Sequence, residues 1–174
     1  MNQIRKMSSK ERQHMIINAL KETTIPIAGR QFAEQANVSR QVIVQDVSLL
    51  KAKGEPIIAT SQGYIYQRSS KFKHVIAVKH SPEKVQEELN IIVDHGVTVR
   101  DVIIEHAVYG DLTASIMVSN RKEVKQFIKK IKENQAAYLA TLTNGIHLHT
   151  LEADSMDKIK DACQALQEAN ILLD

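Results

Sequence analysis

Apolar residues in the first third of the chain recur at intervals that predict three helices followed by a hairpin. Residues 9–22 and 28–36 carry apolar side chains at helical spacing. Ser39 is placed as the N-cap of a third helix, which is expected to end near Gly54. The stretch PIIATSQGYIYQ alternates around a Ser-Gln-Gly turn, which predicts two paired strands. This order of elements is typical of a winged helix-turn-helix.

The third predicted helix has an apolar side and a polar side. Ile43, Val47 and Leu50 share one stripe, which we expect to pack on the first two helices. The helix start and the opposite side carry Ser39, Arg40, Gln41, Val44, Gln45 and Ser48. Arg, Gln and Ser side chains supply donors and acceptors for base edges in the major groove, and a helix N-terminus favours phosphate. We therefore predict that this surface binds double-stranded DNA, the alternative being a small helical domain that binds protein.

From about His74 the pattern changes to strands that alternate with helices. The predicted strands are HVIAVKH, RDVIIEHAVYG, LTASIMVS and GIHLHTLEA, and the predicted helices are SPEKVQEELNIIVDHG, NRKEVKQFIKKIKEN and SMDKIKDACQALQEANILL. Their order, βαββαβα, predicts a ferredoxin-like α/β sandwich with a split βαβ arrangement and one additional helix. The chain is thus expected to be an α+β protein, with a winged helix-turn-helix at residues 1–68 and a second domain at residues 72–174.

Composition and charge agree with two globular domains of different character. With 43% hydrophobic residues among 174, the chain has enough apolar material for packed cores. Residues 1–70 carry ten Lys and Arg against five Asp and Glu, whereas the remainder carries 13 against 15. A basic front part is consistent with binding to a polyanion such as DNA. Neither a signal peptide nor a membrane span is predicted, so we expect a cytoplasmic protein that makes no contact with a membrane.

Cysteine and histidine usage narrows the chemistry. Cys163 is the single cysteine, and its helical spacing with Ile159 and Leu166 predicts a core position. His147 and His149 lie two residues apart in a predicted strand, so both side chains project from the same face. The alternating apolar residues, Ile146 and Leu148, project from the opposite face, which we expect to lie against the covering helices.

Two further groups could join this histidine pair. His80 is the last residue of the predicted strand HVIAVKH. In the predicted helix that follows His80, Glu88 flanks the apolar stripe, whereas Glu87 lies opposite that stripe. Three imidazoles and one carboxylate suit a divalent transition metal such as zinc, nickel or iron and leave a position for an added ligand. The alternative is a set of ordinary strand histidines, because an H-x-H pair alone is a weak indication. His106 is either a pocket residue or a histidine of the core.

Several stretches together resemble the NiaR-type transcriptional repressors, which join a helix-turn-helix to a three-histidine effector domain. They are AGRQFAEQANVSRQVIVQDVSLLKAKG, AVKHSPEKVQEEL, VDHGVTVRDVIIEHAVYGDL and LTNGIHLHTLEA. The first is shared by many bacterial regulators, while the other three in this order are specific. The resemblance extends from about residue 10 to 170.

The resemblance implies both a site and a role. It implies that a divalent metal is held by His80, Glu88, His147 and His149, the same four residues that strand phase and helical spacing select. It also implies repression of genes for NAD synthesis or nicotinate uptake, with nicotinic acid as co-repressor. Residues 72–174 would then be the metal- and effector-binding regulatory domain, with His106 and Tyr109 as candidate residues of the effector pocket.

Other functions remain as alternatives at this point. A histidine-rich metal site with an open position could activate water in a hydrolase, although Glu88 is already assigned to the metal and no other base is evident. A pure metal sensor would differ only in the ligand that drives DNA binding. Because a palindromic operator calls for two reading helices, we expect a homodimer. Its contact is expected in the C-terminal domain, because the last stretch of that domain, ANILLD, is apolar.

Overall fold

The computed structural model of the chain describes residues 6–67 and 72–173. The chain divides into two compact units, Met1–Arg68 and Ser69–Asp174. Within the described residues, no helix combines the length and the apolar character that crossing a membrane requires.

The first unit is a winged helix-turn-helix, as predicted. Its elements are α1 (Ser9–Glu22), α2 (Gly29–Ala36), α3 (Arg40–Ala52), β1 (Ile57–Thr60) and β2 (Gly63–Tyr66). The Ser39 hydroxyl accepts a hydrogen bond from the Val42 amide and caps α3. Asn37, in the left-handed conformation with φ of 52°, makes the tight turn before it. β1 and β2 form the antiparallel wing, which Ile27 joins by exchanging backbone hydrogen bonds with Tyr64.

The core of this unit contains an ion pair among its apolar side chains. Ile16, Leu20, Phe32, Ile43, Val47 and Leu50 are buried together. Arg12 of α1 and Asp46 of α3 lie in the same interior, and Asp46 is only 1% exposed. The pair joins the two helices through a 2.5 Å contact between Arg12 Nε and Asp46 Oδ2.

The second unit has the predicted order of elements. They are β3 (Phe72–Lys79), α4 (Val85–Asp94), β4 (Thr98–His106), β5 (Gly110–Val118), α5 (Arg121–Glu133), β6 (Ile146–Ala153) and α6 (Met156–Glu168). Short 3-10 helices at Pro82–Lys84 and Leu139–Thr143 precede α4 and β6. The antiparallel sheet has the order β3-β6-β4-β5, so that β6 lies between β3 and β4 and produces the expected split βαβ arrangement. The second and fourth strands of the domain are central, whereas a ferredoxin-like order would centre the first and third.

The three helices pack against one face of this sheet. Leu89 and Ile92 of α4 share a core with Val99 of β4, Leu151 of β6 and Ile159 of α6. Cys163 packs against this core, in agreement with its predicted role.

The expected orientation of β6 is wrong. His147 and His149 point toward the helices and are buried, whereas Ile146 and Leu148 are 46% and 36% exposed on the opposite face. Strand alternation correctly separates the two pairs but does not identify the covered face, and here the interior accepts the histidines because a carboxylate lies opposite them.

The ends of two segments also differ from expectation. The β4–β5 hairpin turns at residues 107–109, within the predicted strand RDVIIEHAVYG, and Gly110 already pairs with His106. In the terminal stretch, Ile171 is buried in the core and Leu172 bridges Val78 at the β3 edge. The stretch expected to hold a dimer contact is therefore largely used within its own domain.

Candidate functional site

Four side chains predicted from the sequence meet beneath the helices of the second unit. His80 follows β3, Glu88 projects from the first turn of α4, and His147 and His149 come from β6. Glu88 is central, with Oε2 2.7 Å from His80 Nε2 and Oε1 3.2 Å from His149 Nε2. His147 Nε2 lies 3.6 Å from Glu88 Oε1 and 3.1 Å from His149 Nε2. All four residues are buried, so they form one water-poor cluster, called here the His/Glu cluster.

Each imidazole of the His/Glu cluster is oriented by a backbone carbonyl. The Nδ1 atoms of His80, His147 and His149 lie 2.8, 2.9 and 2.5 Å from the carbonyl oxygens of Ser81, Gly145 and Asp101 respectively. Because a carbonyl oxygen only accepts, each Nδ1 carries the proton. In the neutral ring this leaves the lone pair on Nε2, and all three Nε2 atoms face Glu88. Such carbonyl partners are the usual second support of metal-binding histidines.

Asp101 reaches His149 because the sheet is irregular there. Between Val99 and Ile103, β4 has one residue more than the facing part of β6, and a second irregularity lies between Val99 and Asp101 on the β5 side. Bulges of this kind turn backbone groups out of the regular ladder and often lie beside functional sites. The Asp101 carbonyl is thus turned to His149, while its carboxylate accepts the Thr150 amide.

Gly145 supports the cluster from the other side. It has a φ of 88°, and a Cβ added to it would lie 2.3 Å from the His80 carbonyl oxygen. Only glycine can therefore bring the backbone before β6 so close to His80 while its own carbonyl orients His147. Neither Gly145 nor Asp101 was found by sequence reasoning, because a backbone carbonyl has no side-chain pattern.

The His/Glu cluster brings acceptor atoms together without enough donors, an arrangement that suits a bound cation. Glu88 Oε1 is buried and has no hydrogen-bond partner among the described residues. It faces the Nε2 atoms of His147 and His149, which present lone pairs in the neutral tautomer. Acceptors this close repel one another unless a proton or cation lies among them. One ligand atom from each of His80, Glu88 and His147 lies within 4.8 Å of the others, a spacing that can hold a metal ion.

The pKa values of Glu88 and its histidine neighbours also indicate that the cluster favours positive charge. Burial acts to raise the pKa of Glu88, but the positive charge of His149 and polar contacts with the three histidines hold it well below its usual value. Burial acts to lower the pKa of His149 and of His80, yet interaction with Glu88 raises both above the usual histidine value. The ionised carboxylate therefore favours positive charge beside it, whether from protons or from a bound ion.

A cavity of about 130 Å³ opens directly beside the cluster. Glu88, His147 and His149 form its polar side. The remaining wall is mainly apolar and includes Val85, Leu89, Val102, Ile116, Phe127 and Tyr138. We call this space the ring cavity.

The structure does not place the predicted effector-pocket residues at the ring cavity. Tyr109 is 75% exposed at the β4–β5 turn, where its ring contacts that of His106 at 5.1 Å between centroids. His106 Nδ1 accepts hydrogen bonds from the Val108 and Tyr109 amides and so stabilises the turn. Sequence reasoning did not identify Phe127 and Tyr138 as residues that line the ring cavity. Phe127 looks like an ordinary apolar residue of an amphipathic helix, and Tyr138 lies outside any periodic pattern.

Both units have known relatives. Residues 73–174 match the 3H domain family, and residues 12–65 match the HTH domain family. The chain is 56% identical to the transcription repressor NadR of Bacillus subtilis over 173 residues, covering 97% of this chain and 96% of the relative. It is 38% identical to the probable transcription repressor NiaR of Thermotoga maritima over 165 residues, 94% of each chain. The chain belongs to this family of transcription repressors. It is a regulator and not an enzyme, so the hydrolase alternative is set aside.

The residues predicted to contact DNA lie on α3 and at its N-cap. Ser39, Arg40, Gln41, Gln45 and Ser48 are exposed, and Val44 is half-buried. The hydroxyls of Ser39 and Ser48 are engaged with the backbone, Ser39 as the cap and Ser48 by donating to the Val44 carbonyl. The predicted base contacts would therefore depend on the long polar side chains of Arg40, Gln41 and Gln45.

Proposed function

We propose that this repressor controls genes of NAD synthesis or nicotinate uptake, and that nicotinic acid acts as co-repressor at a divalent metal held by His80, Glu88, His147 and His149. The observation that carries the metal site is the buried cluster itself, in which three carbonyl-oriented imidazoles turn Nε2 toward a carboxylate with an unpartnered oxygen. The family relationship and the resemblance of the second unit to the NiaR-type effector domain support the choice of genes and effector.

The residues divide the work of the site between them. His80, His147 and His149 offer neutral nitrogen donors whose orientation the backbone sets, and Glu88 offers an ionised oxygen. This donor set suits zinc, nickel or iron. A bound divalent ion would supply a positive charge and a coordination position for a carboxylate or a pyridine nitrogen, both of which nicotinic acid carries. The wall of the ring cavity next to this position is mainly apolar.

The central experiment measures metal content and operator affinity with and without nicotinic acid. The native protein should bind about one ion per chain, and nicotinic acid should strengthen operator binding by roughly 5- to 150-fold, the usual range of allosteric coupling. The double variant His147→Ala with His149→Ala should lose the ion and the response. Basal DNA binding should persist, because its surface lies in the other unit.

His106→Ala is the matched control for this experiment, because His106 lies outside the His/Glu cluster and should leave ion and response unchanged. A full nicotinic acid response in the metal-free double variant would refute the metal-anchored site. If the ion alone produced the whole change in operator affinity, the second candidate, a metal sensor, would replace the nicotinic acid sensor. The exposed surface of α3 would bind DNA in both a nicotinic acid sensor and a metal sensor.

DNA reading can be tested separately. Replacing Gln41 or Gln45 with Ala should reduce discrimination between operator and random DNA by about 1 to 3 kcal/mol if a bidentate base contact is lost. Gln126→Ala, an exposed glutamine of α5 in the second unit, is the control and should bind both DNAs as the native protein does. Equal losses on the two DNAs would assign these glutamines to phosphate contacts instead.

The proposal includes a homodimer, since two copies of α3 related by a two-fold axis match a palindromic operator. Half-sites should be separated by about one helical turn of DNA or a multiple of it. Sedimentation of the free protein at micromolar concentration tests this directly. A monomer that binds operator at one-to-one stoichiometry would contradict it.

A further inference from the structure

The ring cavity combines one charged side with an uncharged remainder. The His/Glu cluster lies at one end, and the described residues that form the rest of the wall include no Lys or Arg. Phe127 and Tyr138 form one part of this wall, with ring centroids 6.5 Å apart and planes inclined at 51°. Val85 and Leu89 of α4 and Val102 and Ile116 of the sheet complete it. The cavity is thus suited to an apolar ring with a single polar end.

We infer that the ring cavity selects a single aromatic ring that bears one negative group, with Phe127 and Tyr138 as the specificity-determining side chains, and that it rejects rings bearing a second negative group. This inference rests on the proposed function, because it places the ring of the co-repressor in the ring cavity and its donor group at the His/Glu cluster.

Size supports a single ring. The volume is about 130 Å³. An apolar protein cavity of about 150 Å³ is known to be sufficient for benzene. A six-membered aromatic ring therefore fills the ring cavity with little room to spare. Aromatic side chains contribute offset or edge contacts to such a ring beyond simple burial.

Charge supports a single negative group. A ligand carboxylate at the cluster end has the imidazoles, or a cation held by them, as its partner. A second carboxylate elsewhere on the ring would face a wall whose described residues supply no Lys or Arg and, apart from Ser115 and Tyr138, no side-chain hydrogen-bond donor. Burying a charge without a partner is strongly unfavourable, so the second group must weaken binding.

Tyr138 also separates the ring cavity from a neighbouring pocket. Tyr138, Val85 and Ala140 line both spaces, and the outer pocket includes Lys79 and Asn144. Lysines thus line two pockets that share Tyr138 with the ring cavity, Lys79 in this outer pocket and Lys132 in another, but neither lines the ring cavity itself. The described lining of the ring cavity therefore supplies no Lys or Arg as a partner for a second negative group.

The experiment uses calorimetric titration of the metal-loaded full chain after metal content has been measured. The native protein should bind nicotinic acid at least tenfold more tightly than pyridine-3,5-dicarboxylate, which adds a carboxylate without forming a chelating pair with the ring nitrogen. Ala114→Leu, which fills the cavity from β5, should weaken nicotinic acid binding at least tenfold while retaining the ion. Thr113→Leu is the matched control, because the neighbouring residue on β5 is exposed and does not line the cavity.

The outcomes separate this inference from the proposed function. Equal binding of the two pyridine acids, or unchanged binding in Ala114→Leu, overturns the inference and leaves nicotinic acid as co-repressor. No binding of nicotinic acid to the native metal-loaded protein overturns the proposed function and this inference with it. Should Ala114→Leu fail to fold, Phe127→Ala takes its place, with an expected loss of at least tenfold, and the comparison of ligands needs no variant at all.

Discussion

Two buried ionic clusters among the described residues differ in whether the protein's own atoms complete their hydrogen bonds and charge pairs. In the winged helix-turn-helix unit, Asp46 accepts hydrogen bonds from Arg12, Ser9 and Gln13, and Arg12 also donates to the Met7 carbonyl. In the second unit, Glu88 has one oxygen that finds no hydrogen-bond partner in the described part of the chain and faces imidazole lone pairs. Both carboxylates are 1% exposed, so burial alone does not distinguish them.

The difference indicates different roles. A buried charge that is fully paired holds two helices in register and has no capacity left for a ligand. A buried carboxylate with a free oxygen and facing acceptors has capacity that only a cation or protons can use. Completeness of pairing therefore separates a structural cluster from a candidate binding site, and the following changes test that separation.

The largest effect is expected from Asp46→Ala. The substitution leaves the Arg12 guanidinium buried with the Met7 carbonyl as a remaining partner. Breaking a buried ion pair from one side destabilises by about 3 to 5 kcal/mol. Urea denaturation should show this loss in the first unit, while metal binding stays unchanged. Glu34→Ala, which breaks the exposed Arg30–Glu34 pair, is the control and should alter stability little. Similar stability of Asp46→Ala and Glu34→Ala would contradict the structural role of the first cluster.

The second cluster should respond in the opposite way to Glu88→Gln. The amide keeps the shape but lacks the charge, so the metal-free protein should be about as stable as the native one. Its metal affinity should fall about a hundredfold, which removes about 2.7 kcal/mol of metal-dependent stabilisation at saturating ion. Glu87→Gln, on the exposed side of the same turn, is the matched control. Thermal melting with and without zinc or nickel measures both quantities, and equal metal stabilisation in the two variants would contradict the ligand assignment.

Gly145→Ala tests whether the backbone really positions the His/Glu cluster. Gly145 and Gly110 both have positive φ, 88° and 69°, but an added Cβ contacts the His80 carbonyl only at Gly145. Both alanine variants should carry conformational strain of about 1 to 2 kcal/mol. Gly145→Ala should also reduce metal affinity at least tenfold, in the range seen when the supports of metal ligands are disturbed. Equal metal affinity in the two variants would show that the close approach is not needed.

The side chains of the candidate site could be predicted from sequence because they follow simple periods. Two-residue spacing brings His147 and His149 to one strand face, and helical spacing brings Glu88 beside the apolar stripe of α4. The face of β6 and the order of the strands could not be predicted, since periodicity contains no information on pairing partners. The roles of the Asp101 and Gly145 carbonyls could not be predicted for a related reason, because they depend on a bulge and on a close backbone approach.

The first cluster was missed although its pattern was present. Asp46 stands three residues after Ile43 and four before Leu50, and Arg12 stands four residues before Ile16. Both therefore occupy core positions of their helices, where a charged residue indicates an opposite charge on the facing helix. A charged residue within an apolar stripe thus has predictive value comparable to that of the histidine pair.

The smallest effect expected is the pH dependence of stability that Asp46 contributes. Burial acts to raise the pKa of Asp46, but hydrogen bonds from Arg12, Ser9 and Gln13 and the charge of Arg12 bring it below its usual value of 3.8. A carboxyl group with a lower pKa in the folded state binds fewer protons there than in the unfolded chain, so its contribution to stability rises with pH. That contribution is complete above the unfolded value and is lost as the pH falls through the folded one. The stability difference between the native protein and Asp46→Asn should therefore narrow below about pH 4. Urea denaturation of both proteins at pH 7, 5, 4 and 3 measures it, and a difference that stays constant across this range would mean that the Asp46 carboxylate gains nothing from Arg12.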